Sequence, residues 1–336
     1  MFPDNDRRKV WWEVIRRAAI LGVLLMAAVT SARADGTNRQ GFVFTVNEEN
    51  DYFSIPTTDK HYTQGIHFSL MWPDDEAPLL ARPLAWTPPL GFQRPIQKFG
   101  FELGQDLYTP IDLTASAVIP NDRPYAGWLY LGGLREDRGL TAGQIPTLDR
   151  YEVELGIVGP WSLGADEQNW WHDLIGNSLA NGWDQQLGNE PGLLLRLDRK
   201  WRIVDAGESD GLHLQVLPRA GVALGNIQTS ARIGATVRVG QHIPDEFAAA
   251  IPPRVGWYLF SDVGGRGVLY NEFLNGSVFH ASHSVTPEPG VLELRAGLVF
   301  ELGHSEISYT YVYLNKEFKE QGVYDAYGSL TYVYRF

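Results

Sequence analysis

The sequence predicts an all-β protein, a transmembrane antiparallel β-barrel of about twelve strands with a short helix in one extracellular loop. Three observations predict it: a secretory leader, a succession of segments that alternate apolar with polar residues, and a last strand that ends on phenylalanine. The leader carries Arg7, Arg8, Lys9, Arg16 and Arg17, then the apolar run Ala18–Val29, then Ala32-Arg33-Ala34. A basic start, a short apolar core and an A-x-A site make a signal peptide. Cleavage is expected after Ala34, which leaves 35–336 as the barrel domain. The apolar run is shorter than the ~18 residues that suggest a spanning helix, and no later segment is as long and uncharged. A spanning chain must therefore cross with strands.

The strands follow in order. In 63–72, Ile66, Phe68, Leu70 and Trp72 alternate with Gly65, His67 and Ser69, an outward apolar face against a polar lumen. Phe99, Phe101 and Leu103 oppose Gly100, Glu102 and Gly104. Tyr151, Val153, Leu155 and Ile157 oppose Glu152, Glu154 and Gly156, and Leu292, Leu294, Ala296, Leu298 and Phe300 oppose Glu293, Arg295 and Glu301. With the remaining segments, strands are expected at 41–47, 63–72, 97–107, 125–136, 148–158, 192–203, 211–223, 230–240, 255–263, 291–303, 305–315 and 324–336. In the last of these Leu330, Tyr332, Tyr334 and Phe336 share a face, since strand side chains alternate. If the N-terminus starts on the periplasmic side, the outward connections are 48–62, 108–124, 159–191, 224–229, 264–290 and 316–323. The Pro-rich stretch 73–96 then becomes an inward turn of unusual length.

Composition agrees with export. There is no cysteine, so passage through an oxidising compartment carries no mispairing risk and no thiolate metal site can form. Gly, Tyr and Trp are plentiful, as barrel bends and interfacial girdles require. The leader holds six of the 28 basic residues and three of the 40 acidic ones, so the mature chain stands at −15. That balance argues against nucleic acid, whose phosphates demand Lys and Arg, and favours a divalent cation at an acidic site. No feature of the sequence specifies an oligomeric state.

The outward connections hold the chemistry. The first contains Asn50-Asp51 and then Thr58-Asp59-Lys60-His61-Tyr62-Thr63-Gln64-Gly65; an Asx pair at a strand end ordinarily forms a turn. The second ends in Asn121-Asp122-Arg123-Pro124-Tyr125-Ala126-Gly127-Trp128, where an Arg–carboxylate brace would serve a rigid strand entry. The third is the richest. From Asp166 to Ile175 the spacing predicts a short helix, with acids in its first turn and Gly176 past its end. Gln168, Trp171, His172 and Ile175 share one of its faces, and the apolar members could dock on the barrel rim.

At these residues the sequence resembles the outer-membrane lipid A 3′-O-deacylase family. The matching pieces are Asn50-Asp51, Thr58-Asp59 with Tyr62-Thr63-x-Gly65, Asp122-Arg123 with Tyr125-Ala126-Gly127-Trp128, and Gly159-Pro160 with Gln168-Asn169-x-x-His172-x-Leu174-Ile175-Gly176. Their order, each piece at an outward strand end, makes the match specific. The resemblance implies hydrolysis of the ester that holds the acyloxyacyl chain at the 3′ position of lipid A, dependent on calcium, at a site between the wall and a loop helix. It implies that His172 is the general base, that Asp51 with Asn50 binds or positions calcium, that Gln168 helps hold the oxyanion and that Thr63 orients the metal shell. Family members carry a carboxylate about six residues after the histidine, where this chain has Ser178; Asp173, Asp184 and Glu190 are the candidates to replace it.

An ester in a lipid needs a polarising cation and a base that activates water, and neutral imidazole is suited to the second task. There is no G-x-S-x-G elbow and no thiol nucleophile. Two other readings exist. One is a serine-type phospholipase using His280-Ala281-Ser282-His283-Ser284; the other is a small porin or structural barrel in which Glu102, Glu152 and Glu293 only tune the lumen.

Overall fold

The structure is a computed structural model that describes residues 41–54, 60–208, 211–248 and 251–336. The leader and the pair Thr58-Asp59 lie outside the described residues. Thirteen strands form among them: β1 (Val43–Asn50), β2 (His61–Pro73), β3 (Ile96–Thr109), β4 (Ala126–Leu140), β5 (Pro146–Val158), β6 (Glu190–Trp201), β7 (Val204–Gly207), β8 (His213–Gly225), β9 (Gln228–Gln241), β10 (Arg254–Asn271), β11 (Gly290–Gly303), β12 (Ser305–Leu314) and β13 (Asp325–Arg335). Neighbours pair antiparallel. Two further pairings close the ring: β1 with β13, from Val43↔Arg335 to Asn50↔Gly328, and β6 with β8, from Leu194↔Gly225 to Lys200↔Arg219. The four-residue β7 extends β8 beyond the ring. The result is the closed twelve-stranded barrel that the alternation predicts, with no open edge to aggregate. β10 outlasts its expected end at 263, because Gly264 to Asn271 continue the pairing with β9.

Parity assigns the faces. Thr45, Asn47 and Glu49 of β1, Glu102 and Asp106 of β3, and Trp128 and Tyr130 of β4 line the lumen; the residues between them point outward. Leu103, Leu131 and Leu155, on the outward face, are about half exposed, as a lipid-facing belt must be. Ion pairs brace the lumen, including Arg196–Glu154 at 2.7 Å, Arg219–Asp262 at 2.6 Å and Arg150–Glu102 at 3.3 Å.

Residues 73–96 are not a simple inward turn. They form two short 3₁₀ segments, Asp74–Glu76 and Leu79–Trp86, that fold back on the outward wall of β4. Buried Arg135 holds them there: its Nη1 donates to the main-chain oxygens of Leu84 at 2.7 Å and Thr87 at 2.5 Å, while Asp137 takes the other side of the guanidinium. The stretch is long because it covers wall as well as reversing the chain.

Candidate active site

One half of the site stands on the wall. β1 ends at Asn50, whose Oδ1 accepts the N–H of Tyr52 at 2.8 Å and so caps the 3₁₀ turn Asp51–Phe53. The turn-forming role of an Asx residue is real here. Asp51 is buried. Its Oδ2 accepts the N–H of Lys60 at 2.5 Å and its main-chain oxygen accepts the Ser54 hydroxyl at 2.6 Å, which ties both ends of the first loop to one residue. Beside it a bulge shifts the register of β2 between Tyr62 and Gln64. Thr63 is the extra residue, buried and bonded to the Thr109 hydroxyl at 2.6 Å. Gln64 lies directly opposite Asn50. Bulges re-aim side chains at such sites.

The other half stands on the helix. Gly159 turns the chain with φ +93, where a Cβ would meet the Gly188 carbonyl oxygen at 2.5 Å. After Pro160–Ser162 comes helix α1 (Gly164–Ile175), with Asp166 and Glu167 in its first turn and Gly176 as a left-handed cap, the ends that acid and glycine placement predict. The helix covers the outward wall instead of sitting on the rim. Gln105 donates to the Ser162 carbonyl at 2.6 Å, Leu107 is fully buried beneath Gly164, and a Cβ on Gly127 would strike the Ser162 hydroxyl.

On α1, Gln168 and His172 are both buried. Trp183 Nε1 donates to Gln168 Oε1 at 2.7 Å, while Gln168 Nε2 is buried with no hydrogen-bond partner among the described residues. An orphan amide donor in a buried site is costly unless something accepts from it. His172 Nδ1 lies 2.6 Å from the main-chain oxygen of Ser178. A carbonyl only accepts, so Nδ1 carries a proton and donates it there. Thus residue 178 orients the imidazole after all, through its backbone. Asp173 and Asp184 are exposed, and Glu190 is bound by the Ser277 hydroxyl and the N–H of Val278.

Wall and helix meet at residues to which the sequence assigned no role in the site. Gln64 Nε2 donates to Glu167 Oε1 at 2.7 Å and to Glu48 Oε1 at 3.2 Å. Burial pushes the Glu167 carboxyl up to about 7, against the lowering effect of the Gln64 bond. The available signal was Glu48, a carboxylate in register with outward Phe44 and Val46. Asn50 and Asp51 supply the hard oxygens that calcium takes, and Asp51 is buried; the donor set fits such an ion. Among the described residues no group of three His, Cys, Asp or Glu gathers, so main-chain and water oxygens would complete any shell.

Asp122 and Arg123 serve the rim. His61 Nδ1 bonds Asp325 at 2.6 Å and its Nε2 lies 3.3 Å from Asp122, while Arg123 pairs with Glu317 at 3.3 Å. Burial opposes ionisation of Asp122, yet the bonds from His61 and the N–H groups of Ile111 and Arg123 hold it below the usual carboxylate range. The 280–284 tract forms no dyad: His283 Nε2 bonds the Asp122 carbonyl at 2.6 Å, and the Ser282 hydroxyl accepts the N–H of Ser277 at 2.8 Å.

A profile of the family described as outer membrane protein LpxR matches residues 19–336. No curated protein sequence matches the chain. Among solved structures, LpxR from Salmonella typhimurium is 19% identical, covers 88% of this chain and 100% of its own, and superposes with a TM-score of 0.70. The beta domain of the Bordetella autotransporter Brka, 13% identical over 89% of this chain and 100% of its own, superposes at 0.42. The translocator domain of autotransporter NalP from Neisseria meningitidis, 12% identical over 96% and 99%, superposes at 0.40.

Proposed function

This chain belongs to the outer membrane protein LpxR family, and from that premise we propose that it is an esterase that removes the 3′-acyloxyacyl chain of lipid A in the outer membrane. One observation carries the reading: a single buried helix face holds an imidazole whose Nδ1 is fixed by a carbonyl and an amide Nε2 with no partner among the described residues, His172 and Gln168. An ester hydrolase needs that pair, a base for water and a donor for the developing oxyanion.

His172 Nε2 takes a proton from water as the water oxygen bonds to the ester carbon, and the carbonyl oxygen becomes the oxyanion. Gln168 Nε2 donates to that oxygen. Trp183, bonded to Gln168 Oε1, fixes the amide so that Nε2 is the end presented. When the C–O bond to the sugar breaks, the imidazolium returns its proton to the 3′ oxygen, leaving a free acyloxyacyl acid and a sugar hydroxyl. The Ser178 carbonyl keeps the proton on Nδ1 throughout. Asp51 and Asn50 would hold calcium, and Thr63 would order the oxygens around it. When bound, calcium supplies polarisation of the ester carbonyl. The position of α1 outside the barrel supports a lipid substrate, which reaches such a site laterally from the outer leaflet.

The test is mass spectrometry of lipid A incubated with the purified protein in detergent micelles. The expected product lacks the 3′-acyloxyacyl mass. Chelation should abolish it, added calcium should restore it, and Asp51→Ala should be inactive yet folded by heat-modifiable gel mobility. Unchanged lipid A with the folded wild-type protein in calcium overturns the reading; full activity in excess chelator removes the metal from it.

A further inference from the structure

We infer that Gln64 is a positioning residue for hydrolysis: by bridging Glu48 on the wall and Glu167 on α1 it sets the helix-borne half of the site against the wall-borne half. The inference rests on the proposed deacylase reading for its kinetic consequence, although not for its geometry.

Three observations carry it. First, the described side-chain bonds of Gln168, Asn169 and His172 all end within the loop 159–189, on Trp183, Ala180 and Ser178. The bond from Glu167 instead reaches a barrel strand, 103 residues away in sequence. Second, both partners adjoin site residues. Gln64 follows Thr63 and pairs in register with Asn50, while Glu167 precedes Gln168. A shift at this junction moves base and oxyanion donor relative to Asp51 and Thr63, and misplacement by an ångström can cost about 10²-fold in rate. Third, Glu48 occupies a lipid-facing register, opposite Ile66 of β2 and Leu330 of β13. A carboxylate on that face is unfavourable and marks a functional role. Gln64 is suited to the junction because one primary amide nitrogen has two hydrogens and serves both carboxylates at once. Its parity with Ile66 and Phe68 on β2 turns it outward to do so.

The chain has no cysteine, so two introduced thiols can be spin-labelled without background. Asp173→Cys on exposed α1 and Leu103→Cys on the outward face of β3 report the helix-to-wall distance. With Gln64 present the distance distribution should be single and narrow; Gln64→Ala should broaden it. In the unlabelled enzyme, Gln64→Ala and Glu167→Ala should each lower kcat about 10- to 100-fold with KM changed less than about 2-fold, the pattern of lost transition-state alignment. The double variant should be no worse than either single one, because both break the same bond. Glu167→Gln keeps an acceptor oxygen and should recover most of kcat and the narrow distribution. An unchanged distance distribution in Gln64→Ala overturns the inference whatever the activity, and so does a multiplicative loss in the double variant. If the wild-type enzyme does not hydrolyse lipid A, the deacylase reading fails while the distance measurement still decides the bridge.

Discussion

At His172 the decisive atom is Nε2. On the proposed mechanism, with Nδ1 committed to the Ser178 carbonyl, His172→Ala should lower turnover about 10²–10⁴-fold without loss of the folded gel band. Gln168→Ala should cost about 10²–10³-fold if it serves the oxyanion. Ser282→Ala should do little, since Ser282 meets no imidazole among the described bonds. A dead Ser282 variant beside an active His172 variant, read by release of the acyl product, would replace this mechanism with a serine one. A second residue carries a pH effect. Glu272, in helix α2 (Glu272–Asn275) at the end of β10, is fully buried. Burial, and then Glu190 facing it, push its carboxyl up to about 10. The unfolded chain releases that proton near 4.5 while the folded one keeps it, so stability is lost as pH rises between the two values. Glu272→Gln mimics the protonated group. It should therefore raise the temperature at which the folded band disappears by several degrees at pH 9 and change it little at pH 5.

Among the elements, α1 shows how local and distant terms divide. Its ends are set by Asp166, Glu167 and Gly176, as dipole and left-handed cap require. Its place is set by Leu107, Gln105 and Gly127 of β3 and β4, which accept it closely on the outward wall. Trp170 and Leu174 remain exposed on its far side, continuing the apolar surface that Leu103 and Leu131 present. The closing strand β13 is the other element with a particular duty, because it pairs with β1 on one edge and β12 on the other. Phe336 follows it and packs edge-on against Tyr334 at 4.7 Å between ring centroids. Deleting Phe336 removes that apolar anchor from the strand that completes the ring. The assembled, heat-modifiable fraction in outer-membrane preparations should drop several-fold, and an undiminished fraction would show that closure does not depend on it.

As a whole molecule, the chain is an outer-membrane barrel whose lumen is lined by charged and aromatic side chains. Arg196 meets Glu154 on the neighbouring strand, while Arg150 and Arg219 reach Glu102 and Asp262 one strand further on, which cross-braces the interior of a ring already too small for a wide channel. The proposed chemistry lies outside it. Under that proposal, an enzyme whose substrate is a lipid of the surrounding leaflet gains from a site on its outer wall, where the ester would be met without extraction into water. The net charge of −12 suits a surface where divalent cations gather.

Period-two alternation determined the strand count, and Gly65, Glu102 or Glu293 could be placed toward the lumen from parity alone, because each strand repeats the same local constraint. The long outward loops and the helix bearing Gln168 and His172 were legible for the same reason: their signals lie within a few neighbouring residues. Parity names two faces, however, and does not say which stretch of the outward face carries a helix. The Trp183 bond that orients Gln168, the Ser178 carbonyl that stands where a carboxylate was expected, the fold-back of 73–96 onto Arg135, and the bridge from Glu48 through Gln64 to Glu167 were decided by tertiary structure. Each depends on the position of a backbone atom or of a side chain distant in sequence, and such proximity comes into being only when the ring has closed and the loops have packed against it.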